Sequence, residues 1–135
     1  MQHDEFIGQV QHKARLASRG EAERATRATL ETLGERLYND TTDNLAAQLP
    51  PEIGRHLQES GDYHKYSLDE FLECIKNREG EGVDLPDAVH HARAVIAELE
   101  EAVSKGLITK VRNQLPPEYG RLFEAGSEGE MPPER

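Results

Sequence analysis

Histidines and carboxylates are the side chains of this sequence that could hold a metal ion. A di-iron helical bundle needs two inward-facing Glu-x-x-His motifs and further glutamates, and the nearest match here is a single Asp87-x-x-His90. His91 follows directly, so the two rings would point about 100° apart on a helix. His56 and His64 flank a polar connection and would meet only by an accident of folding. The pattern therefore predicts solvated or capping histidines, no metal and no cofactor.

The only cysteine, Cys74, could be a nucleophile if a base lay beside it. It comes three residues after Phe71 and next to Ile75, on the face that the apolar spacing buries, which favours an inert core thiol. The chain contains no Gly-x-Ser-x-Gly, Walker or dinucleotide-binding motif. We therefore expect no enzyme activity, and a cryptic metal-dependent enzyme is the weakest of the alternatives.

Five basic side chains near the start of the chain could bind phosphate groups. Only two glutamates lie among them, but no aromatic side chain is present to stack on bases. The formal charge of the whole chain is −10, which repels a polyanion at a distance. A solvated basic face is expected, and a nucleic-acid-associated regulator is the main alternative function. The five residues are Lys13, Arg15, Arg19, Arg24 and Arg27.

The sequence repeats itself at a spacing of 66 residues. The segment Gln48–Leu57 aligns with Gln114–Phe123 and is identical to it at seven of ten positions. The same register pairs Arg27-Ala28 with Arg93-Ala94 upstream. So long a register predicts an internal duplication, with one copy in about residues 5–58 and the other in about 69–124.

Each copy is predicted to contain four helices, because its apolar residues recur at three-to-four spacing. Gly20 is expected to stop the first helix, and Lys105-Gly106 to end the second helix of the second copy. The third helices are expected over 42–49 and 108–115. A capping box, Ser67-x-x-Glu70, should begin the first helix of the second copy, and residues 77–84 should form a long loop. No run alternates like a strand.

The fourth helix of each copy should begin at the repeated Gln-Leu-Pro-Pro-Glu-x-Gly-Arg corner, since proline suits a first helical turn. Leu49 would cap the helix, Glu52 would favour its dipole and pair with Arg55, and Gly54 would allow close helix approach. These local rules give the corner glutamines no role. A structural corner is therefore favoured over a binding site, whose candidate interaction surface would be Gln48, Arg55, Gln114 and Arg121.

The repeated motifs also resemble a known family. The first copy reads ATRATLETLGERL over 25–37 and LAAQLP over 45–50, and the second reads HARAVIAELEEAV over 91–103 and VRNQLP over 111–116. This pattern resembles the bacterial and archaeal domain-of-unknown-function 2267 family over about residues 5–124. The resemblance implies a small all-helical, internally duplicated protein with no assigned activity and no catalytic residues.

Composition limits the remaining choices. The longest apolar run, Ala94–Ala97, is far too short for a membrane span, and the acidic start lacks a secretory apolar region. We expect a soluble, cytoplasmic, all-α protein: one domain over 1–124, built of two pseudo-two-fold repeats that share a core. Residues 125–135 are acidic and rich in Gly and Pro, which predicts a disordered tail. The leading function is a non-enzymatic interaction or regulatory module whose partner is a protein or a small ligand, and a homodimer stays open.

Overall fold

The computed structural model describes residues 1–123, which fold into eight α-helices and one short 3-10 helix without any β-strand. This confirms the predicted all-α class for the described residues. The predicted tail, residues 125–135, lies outside them. The helices are α1 (His3–Lys13), α2 (Arg19–Arg36), α3 (Asn39–Gln48), α4 (Pro51–Gln58), α5 (Leu68–Glu79), α6 (Leu85–Ala102), α7 (Lys105–Gln114) and α8 (Gly120–Phe123), with the 3-10 helix at Pro117–Tyr119 before α8.

A single apolar cluster forms the core, and all eight α-helices contribute to it. The two longest helices, α2 and α6, contact each other at its centre. Helix α2 also packs against α1, α4 and α5, and α6 packs against α1, α5 and α8. The fully buried Phe6 and Phe71 come from opposite halves of the chain and lie in the same cluster. Both halves of the described chain therefore contribute to one core.

Side-chain caps begin several of the helices. The predicted capping box at α5 is confirmed: Glu70 N–H donates to Ser67 Oγ at 3.1 Å, and Ser67 N–H donates to Glu70 Oε1 at 2.9 Å. Equivalent boxes begin α2, from Ser18, and α6, from Asp84. These reciprocal bonds satisfy backbone donors that a helix leaves unpaired at its start.

The expected stop at Gly20 is wrong, because this glycine lies inside the first turn of α2. Helix α1 already ends at Lys13, and the chain turns at Arg15, whose φ of 55° is left-handed. The Ser18 cap then begins α2 before Gly20 is reached. A non-glycine residue thus makes the turn that the glycine was expected to make.

The expected end of α6 at Lys105-Gly106 is also wrong. The helix ends at Ala102 because Val103 is extended, and Ser104 then caps α7 by accepting the Leu107 N–H at 3.3 Å. Both third helices, α3 and α7, also begin earlier than predicted. Helix α5 runs further than predicted, to Glu79, and shortens the expected loop. Of the helices within residues 1–123, none combines the length and apolarity that crossing a membrane requires.

Candidate functional site

A groove of about 500 Å³ lies between α1, the first half of α2, and α4. Its volume is within the range of natural small-ligand sites. We call it the arginine groove, since three arginines line it and lysine is absent from its lining. The lining residues are His3, Ile7, Gly20, Glu23, Arg24, Arg27, Glu52, Arg55 and His56.

Helical periodicity explains why these charges face the groove. Helix α2 buries Ala22, Ala25 and Ala28 and so turns the exposed Arg24 and Arg27 outward. Helix α4 buries Ile53, Gly54 and Leu57, which leaves the exposed Glu52 and Arg55 on its other side. Because α2 packs against α4, the two charged faces meet at one concavity.

The arginine groove joins two sets of residues that the sequence suggests separately. Arg24 and Arg27 come from the predicted basic patch, and Arg55 comes from the predicted interaction surface at the corner. No local signal connects these sets, since the contact between α2 and α4 is a tertiary one. The groove is where the structure brings them together.

The other members of the predicted basic patch lie elsewhere. Lys13 is not solvated: its side chain is 8% exposed, and its Nζ lies 2.8 Å from Glu98 Oε1 and bonds Glu101 as well. Burial pushes the pKa of Lys13 down, but the hydrogen bonds to these two carboxylates outweigh it and leave the pKa raised. Arg19 pairs with Asp4 at 2.6 Å. The five residues therefore do not form one continuous basic face.

The three groove arginines differ in how firmly the protein itself holds them. Arg27 Nε pairs with Glu31 Oε2 at 3.1 Å. Arg55 pairs with Glu59, at 4.0 Å, and not with the expected Glu52. Within residues 1–123, Arg24 has no salt-bridge partner. Arg24 and Arg55 are thus the guanidinium groups most available to a ligand.

Two histidines complete the wall of the groove. Burial lowers the pKa of His56 below its usual 6.5, so this ring is neutral at pH 7. His3 Nε2 lies 4.0 Å from Glu23 Oε2. The arginines are the permanently charged cations of the groove lining.

His90 and His91 each lie beside an oxygen from another part of the chain. His90 Nε2 lies 3.1 Å from the Ala14 carbonyl, whereas His91 Nδ1 lies 2.7 Å from Glu79 Oε1. Among residues 1–123, no group of three or more His, Cys, Asp or Glu could hold a metal ion. Cys74 is half-buried, where full burial was expected.

The corner glutamines cap helices in the opposite half of the chain. Gln48 Oε1 accepts the N–H of Ser104, the cap residue of α7, at 2.7 Å. Gln114 Oε1 accepts the N–H of Tyr38, the cap residue of α3, at 3.2 Å. The same glutamine donates to Thr41 Oγ1. Each glutamine thus caps a helix in the other half of the chain. The sequence signal for this exchange of caps is the recurrence of Gln before Leu-Pro.

The two corners are not equivalent. Helix α4 is capped by Pro50, one residue later than expected, and Glu52 has no hydrogen bond or salt bridge within residues 1–123. Glu118 instead reaches across the chain, where its Oε2 accepts the Leu68 N–H at 3.0 Å and so caps α5. Gly54 behaves as expected, since a Cβ there would lie 2.9 Å from the Ala46 carbonyl oxygen.

This asymmetry predicts unequal effects of alanine at the two glutamates. Glu118→Ala should lower the free energy of unfolding by about 1 kcal/mol, because it removes a helix cap. Glu52→Ala should lower it by less than about 0.5 kcal/mol, since only the helix dipole is affected. Leu49→Ala and Leu115→Ala, which empty buried sites, should each lower it by about 2–5 kcal/mol. Urea denaturation measures all four, and equal effects at the two glutamates would contradict the assignment.

A buried ion network that no local pattern reveals fixes the connection between the halves. Glu35 Oε1 accepts the Tyr66 hydroxyl at 2.8 Å, and its Oε2 accepts Arg78 at 2.7 Å and the Gly61 N–H at 3.1 Å. Arg78 also donates to Thr32 Oγ1 at 2.9 Å. A Cβ at Gly61 would lie 2.8 Å from the carboxylate, so the connection fits closely around it.

Arg36 and Tyr119 extend this network to the second corner. Arg36 Nε donates to the Tyr66 carbonyl at 2.8 Å, and the guanidinium lies 5.5 Å from the Tyr119 ring centre. The Tyr119 hydroxyl donates to the same carbonyl at 2.7 Å. Burial raises the pKa of Tyr119 to about 12. These groups bond one another, so the network has a structural role: it holds α2, the connection and the second corner together.

Comparison with protein families gives a match that covers most of the chain. The family described as "Uncharacterized conserved protein (DUF2267)" matches the chain over residues 3–122. A comparison with curated proteins finds no match. The family description names no activity.

Proposed function

Because the chain belongs to the DUF2267 family of uncharacterized conserved proteins, we propose its function from its structure: a non-enzymatic binding module whose site is the arginine groove. The observation that carries this proposal is the meeting of Arg24, Arg27 and Arg55, from two helices, in one concavity of about 500 Å³. The volume of this groove is in the range of small-ligand sites, and its lining is more highly charged than is usual for them.

The lining of the groove is suited to binding a ligand through its arginines. It contains no hydroxyl, thiol or amine that could act as a nucleophile. Arginine stays protonated at neutral pH and is a poor general base. The partner is a protein segment or a small ligand.

Two other grooves fit this function less well. One, of about 470 Å³, lies beside the start of α3 and carries Asp43 and Asp62. The other, of about 250 Å³, lies at the second corner between Pro116 and Phe123 and is smaller than most ligand sites. A long nucleic acid also fits poorly, since Lys13 and Arg19 of the predicted basic patch are held by carboxylates of the protein itself.

We also propose that the eight helices are two four-helix repeats related by a pseudo-two-fold axis. Helices α2 and α6 have 18 residues each, and α3 and α7 have 10 each. Gln48 and Gln114 exchange caps between the two halves. Reciprocal contacts of this kind are what two-fold symmetry produces.

Nuclear magnetic resonance of the ¹⁵N-labelled chain tests the binding site. A mixture of neutral, anionic and cationic metabolites should shift the backbone signals of Ile7, Gly20 and His56, which line the arginine groove. Gly20→Trp should abolish the shifts by filling the groove. The fold should tolerate it, because the added Cβ meets only Ser18 Oγ, at 3.9 Å.

Gly8→Trp is the matched control, because Gly8 is exposed on α1, is not part of the groove lining, and a Cβ there meets nothing within 4 Å. This variant should bind as the parent does. Shifts that cluster at another groove, or that survive Gly20→Trp, would contradict the proposed site.

A further inference from the structure

We propose that the ligand of the arginine groove carries an oxyanion, a phosphate or carboxylate group of a small molecule, which Arg24 and Arg55 bind together. This inference rests on the proposed function, since it assumes that the groove is the binding site. It adds the chemical class of the ligand.

The charge distribution of the chain supports an anionic ligand at this groove. The whole protein carries a formal charge of −10, which repels small anions from most of the surface. The groove differs from this average because three arginines face two glutamates there. The lining therefore holds more arginines than glutamates, although Glu31 and Glu59 pair with two of these arginines from outside it.

The type of cation in the groove further limits the chemical class of the ligand. Guanidinium groups donate parallel hydrogen bonds that match the oxygens of carboxylate and phosphate groups. The Lys and Arg residues that line the groove are all arginines. An arginine-only set suits recognition of a planar or tetrahedral oxyanion by shape as well as by charge.

The state of the arginines supports a division of roles among them. Arg24 has no salt-bridge partner within residues 1–123. The 4.0 Å pair of Arg55 with Glu59 joins side chains that are 62% and 68% exposed, and such exposed pairs are weak. Arg27 is held closer, by Glu31 at 3.1 Å. A ligand therefore gains most from Arg24 and Arg55.

The two carboxylates and the volume of the groove limit the size of the ligand. Glu23 and Glu52 line the same space as the arginines, so a chain of successive phosphates would meet repulsion there. They favour a ligand in which one oxyanion is followed by a hydrogen-bond donor, such as a hydroxyl or an amine. A groove of about 500 Å³ accommodates a small molecule of this kind.

Titration with inorganic phosphate and, separately, with succinate tests the inference at constant ionic strength. Both probes should give saturable shifts of the Arg24 and Arg55 side-chain Nε–H signals, and the stronger probe distinguishes a phosphate from a carboxylate ligand. Arg24→Gln and Arg55→Gln should each weaken binding at least about tenfold, because each removes a charge-assisted hydrogen bond. Both residues are exposed, so the fold should be retained.

Arg15→Gln is the matched control, since it makes the same charge change at an exposed residue outside the groove. It should bind both probes as the parent does. Absence of saturable shifts, or equal weakening by Arg15→Gln, would overturn the oxyanion inference. If neutral or cationic metabolites then still bind at the groove, the proposed binding function stands and only the oxyanion inference fails. If every metabolite binds elsewhere, both fail.

Discussion

Glu35→Ala is expected to lower the free energy of unfolding by about 2–4 kcal/mol. The Glu35 side chain is 8% exposed and accepts hydrogen bonds from Arg78, Tyr66 and Gly61. Removing one partner of a fully buried ion pair costs about 3–5 kcal/mol, because the other charge is left without compensation. The Arg78 side chain keeps 30% exposure, and water can partly solvate it, so a smaller loss is expected.

The same carboxylate should make stability depend on pH. Burial alone would raise the pKa of Glu35, but the bonds from Arg78 and Tyr66 outweigh it and hold the pKa below its ordinary value of 4.5. The stabilisation is therefore complete above pH 4.5 and is lost as the pH falls through the lower pKa of the folded state. The gap in stability between the parent and Glu35→Ala should narrow over that acidic range.

Urea denaturation at several pH values, followed by circular dichroism, measures both effects. Glu59→Ala is the control, because it removes an exposed carboxylate on the same protein, and should change stability by less than about 0.5 kcal/mol. Glu35→Gln keeps the size of the side chain and should fall between the two. If Glu35→Ala were as stable as Glu59→Ala at neutral pH, the network would contribute no net stability.

The helices themselves are largely predictable, whereas their ends are less so. Three-to-four spacing of buried residues locates α2 and α6, because burial of one face is what stabilises a helix in a protein. The ends depend on single residues: the extended Val103 ends α6, and Ser104 then caps the start of α7. At Arg15 a turn forms at a residue type that seldom adopts a left-handed φ. Local rules therefore predict helix ends at Gly20 and Gly106 that the structure does not have.

The site is less predictable than the fold because its residues meet only through tertiary contacts. Arg24 and Arg55 each stand out as a basic residue in a distinct pattern, but neither pattern indicates that α2 and α4 face each other. Glu35 gives no local signal, since its partner Arg78 lies on α5. The corner glutamines are a middle case: their repetition marks them, and only the structure shows that they cap helices across the two halves.

Residues 1–66 are expected not to fold as a monomer, whereas the whole chain should unfold in one transition. This fragment contains α1 to α4 and would leave the α2 surface that packs against α5 and α6 uncovered. A unit of this size buries only about 60% of its unfolded surface, which is marginal without a disulfide or metal. In the fragment, Glu35 would also lack its ion-pair partner Arg78, and α3 would lack the cap that Gln114 supplies.

Circular dichroism and sedimentation of the 1–66 fragment test this expectation. It should be molten, or it should pair with itself and so replace the missing half, because the two halves offer faces of similar character to one core. Addition of residues 67–135 should restore helical signal and a cooperative melt, since the capping exchange between Gln48 and Gln114 needs both halves. A fragment that is monomeric, fully helical and melts sharply by itself would show two independent domains, and the shared core would then not be required for folding.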